Sequence, residues 1–256
     1  MGASALADLI RRRQPCVVLT GAGVSTESGI PDFRSPTGVW ATFDPLEYGS
    51  IEAFRRDPVK VWSFYKPRVA TLTEAEPNPA HLALAELERL GFVDAIVTQN
   101  IDRLHERAGS RDVVEVHGSI RTSSCSGCGK RYGAVRVLEL LEAADAPACP
   151  ACGEILKPDV VFFGELLPPA EIERALELAR RARLLLVVGS ALEVHPVAGL
   201  PLETLRAGGA LAIVNQGPTP FDRQASLRLD ERAGEVLPAV VEGLRGEQSQ
   251  KAQDAS

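Results

Sequence analysis

No long hydrophobic run occurs anywhere in the 256 residues. None approaches the roughly 18 apolar residues of a membrane-spanning helix, so such a helix is excluded. A secretory leader is not expected either: MGASALADLIRRRQP carries its arginines after the apolar patch, the reverse of a signal peptide, and reads as a short amphipathic helix. Excess positive charge is missing too. The net charge of −6 argues against a nucleic-acid partner. There are no internal repeats. What remains, 45% apolar and 24% charged residues, is ordinary for a globular protein with a core of adequate size. The length fits one large domain, or one domain with a small module. A reducing, cytoplasmic setting is expected, and the excess of arginine over lysine fits a GC-rich bacterial genome.

Cysteine is scarce, and its placement is informative. Cys125 and Cys128 form one CxxC pair, and Cys149 and Cys152 form another. Two such knuckles supply the four thiolates of a tetrahedral zinc site. Four thiolates leave no open coordination position, so the metal is expected to be structural. Two disulfides are the alternative, and the expected lack of a secretory leader weighs against them. Cys16, within CVVLT, reads as a buried small hydrophobe.

Short apolar runs recur at 16–20, 95–98, 113–116, 160–163, 184–188 and 211–214. They are too continuously apolar for half-exposed strands and predict buried parallel ones. Helical periodicity lies between them at 79–90, 168–183 and 198–207. This alternation predicts an α/β fold with a doubly wound, Rossmann-like parallel sheet. Segments 1–34, 77–120 and 158–246 are assigned to it. A helical insert (35–76) and a zinc-ribbon insert (121–157) are expected to pack together as a smaller lobe. The polar tail, 247–256, is expected to be disordered.

Several residues fall where such sheets bind ligands. Gly21, Ala22 and Gly23 follow the first strand, where a tight turn lets a pyrophosphate approach backbone N–H groups. A polar stretch then closes on Phe33 and Arg34, suited to a lid: Arg34 to meet phosphate, Phe33 to cover a planar ring. Gln99, Asn100 and Asp102 end the second strand, suited to an amide and ribose hydroxyls, though Asp102 also reads as a helix N-cap. His105 reads as a surface or packing histidine. His117 ends another strand, placed for general-base work or for a structural role. His81 and His195 have weaker claims.

The ordered set GAGVSTESGIPDFR, TQNIDRLHERAG, His117-Gly118, the four-cysteine ribbon, LKPDVVFFGE, GSALEVHP and IVNQGPTPFD resembles the sirtuin family of NAD-dependent protein-lysine deacylases over residues 12 to 245. The resemblance implies that Gly21, Ala22, Gly23, Thr26, Phe33 and Arg34 face NAD. Gln99, Asn100, Ile101 and Asp102 would form the nicotinamide and ribose pocket, with Ile101 and Asp102 on the carboxamide. Gly189, Ser190, Asn215 and Gln216 would hold the adenosine side, with Val236 near its cap. His117 and Asn100 are the implied catalytic residues, His117 as base. Val161, Phe162, Gly164 and Glu165, with Val194 and His195, would clamp an extended acyl-lysine peptide by β-augmentation, giving loose sequence preference. The implied products are nicotinamide, 2′-O-acyl-ADP-ribose and free lysine.

Tyr65 and Arg68, in VWSFYKPR, match the spacing of the sirtuins that remove succinyl and malonyl groups, where they would bind the distal carboxylate. A solvated helix face with one packed aromatic explains them equally. The lid IPDFRSP is instead similar to the deacetylase branches. Deacetylation is expected as the main activity and desuccinylation or demalonylation as a second one. A mono-ADP-ribosyltransferase using the same NAD site is the rival enzyme, and a non-catalytic NAD-binding or zinc-ribbon module the rival of another class. A monomer, without nucleic-acid or membrane partners, is expected.

Overall fold

A computed structural model describes residues 2–254. In chain order the helices are α1 (Gly2–Arg12), α2 (Pro45–Tyr48), α3 (Ile51–Arg56), α4 (Pro58–Glu74), α5 (Pro79–Arg89), α6 (Leu104–Ala108), α7 (Ala134–Ala143), α8 (Pro169–Arg181), α9 (Leu200–Arg206) and α10 (Ala233–Asp254). The strands are β1 (Cys16–Thr20), β2 (Ala95–Thr98), β3 (Val113–Glu115), β4 (Gly118–Cys125), β5 (Arg131–Gly133), β6 (Leu156–Val160), β7 (Leu184–Val188), β8 (Ala210–Val214) and β9 (Leu227–Leu229).

Six strands form one sheet in the order β3-β2-β1-β7-β8-β9, with every pairing parallel. The chain winds outward from β1 in one direction, then returns to β7 and winds in the other. This is the doubly wound topology, and its switch point lies between β1 and β7. Side chains of β1 alternate between two cores. Cys16 and Val18 pack under α1, α5 and α10, while Val17 and Leu19 pack under α8 and α9. Strands covered on both faces must be apolar at every position, which explains the unbroken burial of β1, β2, β7 and β8.

A second, antiparallel sheet has the order β5-β4-β6. It shares a core with the helices of 35–76 and with α7: Trp62, Val61 and Phe64 from α4 meet Val137 and Leu141 from α7, together with Leu156, Cys125 and Cys149. The indole N–H of the fully buried Trp62 donates to the Leu156 carbonyl at 2.7 Å, pinning α4 to β6.

The apolar run 160–163 is not a buried parallel strand. Only Val160 belongs to a strand, the end of antiparallel β6, whose burial alternates. Phe162 joins the small core while Phe163 is 36% exposed. The run is apolar because it borders a small core and a cavity, not because it is covered on both faces. The polar tail from 247, expected to be disordered, is helical to Asp254 as the end of α10, and its Glu, Gln, Lys and Ala are good helix formers; Met1, Ala255 and Ser256 lie outside the described residues.

Candidate active site

The loop after β1 meets the loop after β7 at the switch point. Gly21 N–H donates to Val188 O at 3.1 Å, and Gly23 N–H to Gly189 O at 2.9 Å. A Cβ on Gly23 would lie 2.9 Å from both Cα and O of Gly189, closer than any side chain tolerates. Gly189 itself has φ 60° and would set a Cβ 2.2 Å from Val24 N. These glycines let two loops close over the strand ends and leave a cavity of about 1150 Å³ above them. That exceeds the ~300–1,000 Å³ typical of one drug-sized ligand, as a dinucleotide plus a substrate side chain requires.

The cavity brings together Gly21, Ala22, Gly23, Thr26, Phe33 and Arg34 from the first loop, and Gln99, Asn100, Ile101 and Asp102 from the second. Gly189, Ser190, Asn215 and Gln216 line one end. Tyr65, Arg68, Val161, Phe162, Gly164, Glu165, Val194 and His195 line the other, with His117 also in the wall. Val236 is not a lining residue. It is 2% exposed within the core under the sheet, because the α10 face that carries it also carries Leu237, Val240 and Leu244 inward. Glu231, Arg232 and Ala233, just before and at the start of α10, line the cavity instead.

His117 Nδ1 lies 3.0 Å from the Gln99 carbonyl. A carbonyl only accepts, so Nδ1 carries the proton and Nε2 keeps its lone pair in the neutral ring. Burial, with Arg34 nearby, pulls the pKa below the ordinary 6.5, while the Gln99 bond opposes the shift. The ring is therefore neutral, and able to accept a proton, at physiological pH.

Asn100 is 8% exposed, and its Nδ2 donates to Gly21 O at 3.1 Å and Ser25 Oγ at 3.0 Å. Its Oδ1 is the atom left to meet a ligand. The Ser25 hydroxyl donates to Asp102 Oδ2 at 2.7 Å, and Asp102 Oδ1 accepts the Leu104 N–H at 2.9 Å. Asp102 lines the cavity; the N-cap position of α6 is Arg103 and not Asp102, whose carboxylate nonetheless takes the N–H of the first helical residue. Burial raises its pKa against these bonds. Ser25 was missed in the sequence although GAGVS contains it; a serine one turn beyond a glycine loop was the available signal.

At the other end the wall is aromatic. Phe33 lies 5.3 Å from Trp40, Trp40 stacks on Phe64 at 5.6 Å, and Tyr65 stacks on Phe162 at 5.4 Å. The Arg68 guanidinium sits 3.5 Å over Phe64 and donates to its carbonyl at 2.6 Å. Tyr65 is 8% exposed, and burial raises its pKa. The pair is therefore a packed part of the wall, not a solvated helix face.

The four knuckle cysteines converge. Their sulfurs all lie within 4.8 Å of one another, with Cys125–Cys152 at 3.4 Å and Cys128–Cys149 at 3.6 Å. A tetrahedron with Zn–S of ~2.3 Å has edges of about 3.8 Å, whereas a disulfide needs about 2.05 Å. The donor set suits a closed four-thiolate zinc site, and Tyr132 OH lies 3.3 Å from the Cys149 sulfur. No helix among the described residues is long and apolar enough to cross a membrane.

Comparison with known proteins agrees with this geometry. The Sir2 family profile matches residues 21–196. NAD-dependent protein deacetylase 1 of Pyrobaculum aerophilum is 45% identical over 241 residues, covering 94% of each chain. The NAD-dependent protein deacetylase of Thermotoga maritima is 44% identical over 235 residues, covering 92% of this chain and 95% of its own. A Sir2 mutant with a deacetylated p53 peptide and 3′-O-acetyl ADP ribose superposes with a TM-score of 0.92 at 42% identity, over 94% of this chain and 98% of that one. Sir2 with a p53 peptide and NAD+ superposes with a TM-score of 0.87 at 43% identity, over 94% and 98%. The glycine loop, residues 99–102, His117 and the cysteine knuckles all fall within the residues matched by the family profile, and the chain belongs to the Sir2 family.

Proposed function

We propose that the protein removes acetyl groups from protein lysines while consuming NAD, releasing nicotinamide, 2′-O-acetyl-ADP-ribose and free lysine. One observation carries this reading: His117, its Nδ1–H held by Gln99, stands in a single cavity that joins the glycine loop to an aromatic-walled end. In this reading 1–34, 77–120 and 158–246 form the NAD-binding body, and 35–76 with 121–157 the small lobe. The four cysteines hold a structural zinc that folds that lobe and takes no part in the chemistry.

NAD is consumed, so it is a substrate. It supplies the ribose carbon that the acyl oxygen attacks as nicotinamide leaves. An amide oxygen is a weak nucleophile, so the site must align both reactants and exclude water. Gly21, Ala22, Gly23, Thr26 and Arg34 are suited to the pyrophosphate, Asn215 and Gln216 to the adenosine side. Asn100, Ile101 and Asp102 are suited to the nicotinamide ribose and carboxamide. Phe33, tilted against Trp40, is suited to cover the departing ring. His117 Nε2 takes a proton from the ribose hydroxyls, which makes the oxygen that attacks the acyl carbon nucleophilic. The segments 161–165 and 194–195 clamp the peptide backbone, so acyl-lysine substrates bind in extended form with loose sequence preference.

Mass spectrometry of an acetyl-lysine peptide, incubated with and without NAD, tests the reading. The expected result is NAD-dependent acetyl loss with acetyl-ADP-ribose appearing. NAD consumption with ADP-ribose attached to protein, and no acetyl loss, would instead establish a transferase.

Acyl preference turns on Arg68. Its guanidinium is stacked on Phe64 and bonded to the Phe64 carbonyl, which leaves only part of its fork for a distal carboxylate. Acetyl removal is therefore expected to be faster than succinyl removal by about tenfold or more, a loss comparable to one charge-assisted hydrogen bond. An Arg68→Met variant should lose the succinyl activity selectively. Equal loss of both activities on paired peptides would remove Arg68 from the account of selectivity.

A further inference from the structure

Two buried histidines stand behind the cavity wall and have no part in the chemistry above. His81 is 0% and His105 1% exposed, their ring centroids are 4.9 Å apart, and neither lines the cavity. We propose that both are positioning residues for the reaction, a paired buttress that fixes Asn100 from two sides and Asp102 from one; the inference rests on the functional reading just given.

The hydrogen bonds assign the tautomers. The Asn78 N–H donates to His81 Nδ1 at 3.4 Å, so His81 carries its proton on Nε2, which lies 3.4 Å from Ser25 Oγ. The Ser25 hydroxyl proton goes to Asp102, so Ser25 Oγ accepts from His81 Nε2 and from Asn100 Nδ2. One serine oxygen thereby ties a buried ring to both polar residues of the wall. The other arm runs from His105 Nε2, 2.9 Å from Thr20 Oγ1. Thr20 donates to Thr98 Oγ1 at 2.8 Å, and Thr98 Oγ1 accepts the Asn100 N–H at 3.1 Å. His105 Nδ1 is buried without a partner. A bare nitrogen is tolerated there better than an unbonded N–H, which puts this proton on Nε2 as well. Asn100 is thus held by its side chain through His81 and by its backbone through His105.

Two neutral rings suit this task better than charged ones. A second proton on His81 would displace the Asn78 N–H that starts α5, and on His105 it would have no acceptor. Burial accordingly lowers the pKa values to about 4 for His81 and about 3 for His105. The donor pattern is therefore constant at neutral pH.

The experiment uses the full chain and has two arms. In the first, imidazole nitrogen NMR of ligand-free protein at neutral pH should show both rings as Nε2–H tautomers. Ser25→Ala should shift the His81 signals and Thr20→Val those of His105. An Nδ1–H tautomer on either ring overturns the buttress, whatever the enzyme does. In the second, His81→Leu and Thr20→Val should lower kcat by on the order of 10- to 100-fold, the scale of a misplaced reacting group. KM for NAD should change by a smaller factor than kcat, because the residues suited to the pyrophosphate and the adenosine side are not substituted. His81→Gln, which keeps a donor toward Ser25, should recover most of kcat. A folded His81→Leu with native kcat, or a His81→Gln as impaired as His81→Leu, overturns the proposal; should His81→Leu not fold, Thr20→Val, nearly the same shape as the native side chain, decides. Wild-type protein without NAD-dependent deacylation would refute the functional reading alone, with the NMR arm still deciding the hydrogen-bond assignment.

Discussion

A His117→Ala variant is expected to stay folded and lose deacylation by on the order of 10²- to 10⁴-fold, the usual worth of a positioned general base. The ring is half-buried, and its one hydrogen bond given by the structure runs to a backbone carbonyl. Its removal therefore leaves no buried charge and no broken network behind. Thermal melting should move little, and NAD should still protect the protein against unfolding, because the glycine loop is unchanged. The pH profile supplies the sign. A base works when deprotonated, so activity is full above the His117 pKa and falls as pH drops through it. Burial and Arg34 place that pKa below 6.5, and the acid limb should have its midpoint below that value. An acid limb centred above 6.5, or an alanine variant of near-native rate, would assign proton removal to another group.

The parts of the site legible in the sequence were those dictated by local rules. β1, β2, β7 and β8 must be apolar throughout because helices cover both faces, and they read so. Gly21 and Gly23 follow a strand at the switch point, where backbones approach too closely for a Cβ. The cysteine spacing reports its own tetrahedron. Other parts depend on contacts distant along the chain. β9 is three residues at a sheet edge, too short to show a period. The run 160–163 has the composition of a buried strand, yet borders a cavity. Val236 shares its helix face with the core, and periodicity alone does not say which turn of α10 approaches the cavity. Ser25 and His81 acquire meaning only when residues 56 positions apart meet.

Removing zinc is expected to abolish activity, by about 100-fold or more, on the scale that misalignment of reacting groups produces, while the large sheet stays folded. The three-stranded sheet β5-β4-β6 is small, and it depends on the core it shares with the helices of 35–76 and with α7. Cys125 and Cys149 are 3% and 2% exposed within the same core as Trp62 and Leu156, while Cys128 and Cys152 are exposed, so a metal held by the four would tie down the rim of that core. Without it, four sulfurs lie within 4.8 Å with nothing to balance them as thiolates. The cores under the six-stranded sheet contain none of these residues. Chelation should therefore separate two transitions. The small lobe loosens first, the Trp62–Leu156 bond opens, and tryptophan emission shifts to the red; far-ultraviolet circular dichroism keeps most of its helical signal. Activity falls with the first transition, because Tyr65 and Arg68 reach the cavity from the lobe that loosens, and Phe162 packs against its core. Cys128→Ser should act in the same direction, and zinc added back should restore the wild type but not the variant. Protein stripped below a tenth of an equivalent of zinc, yet with native emission and native rate, would show that the small core holds itself together and that the thiolates serve some other end.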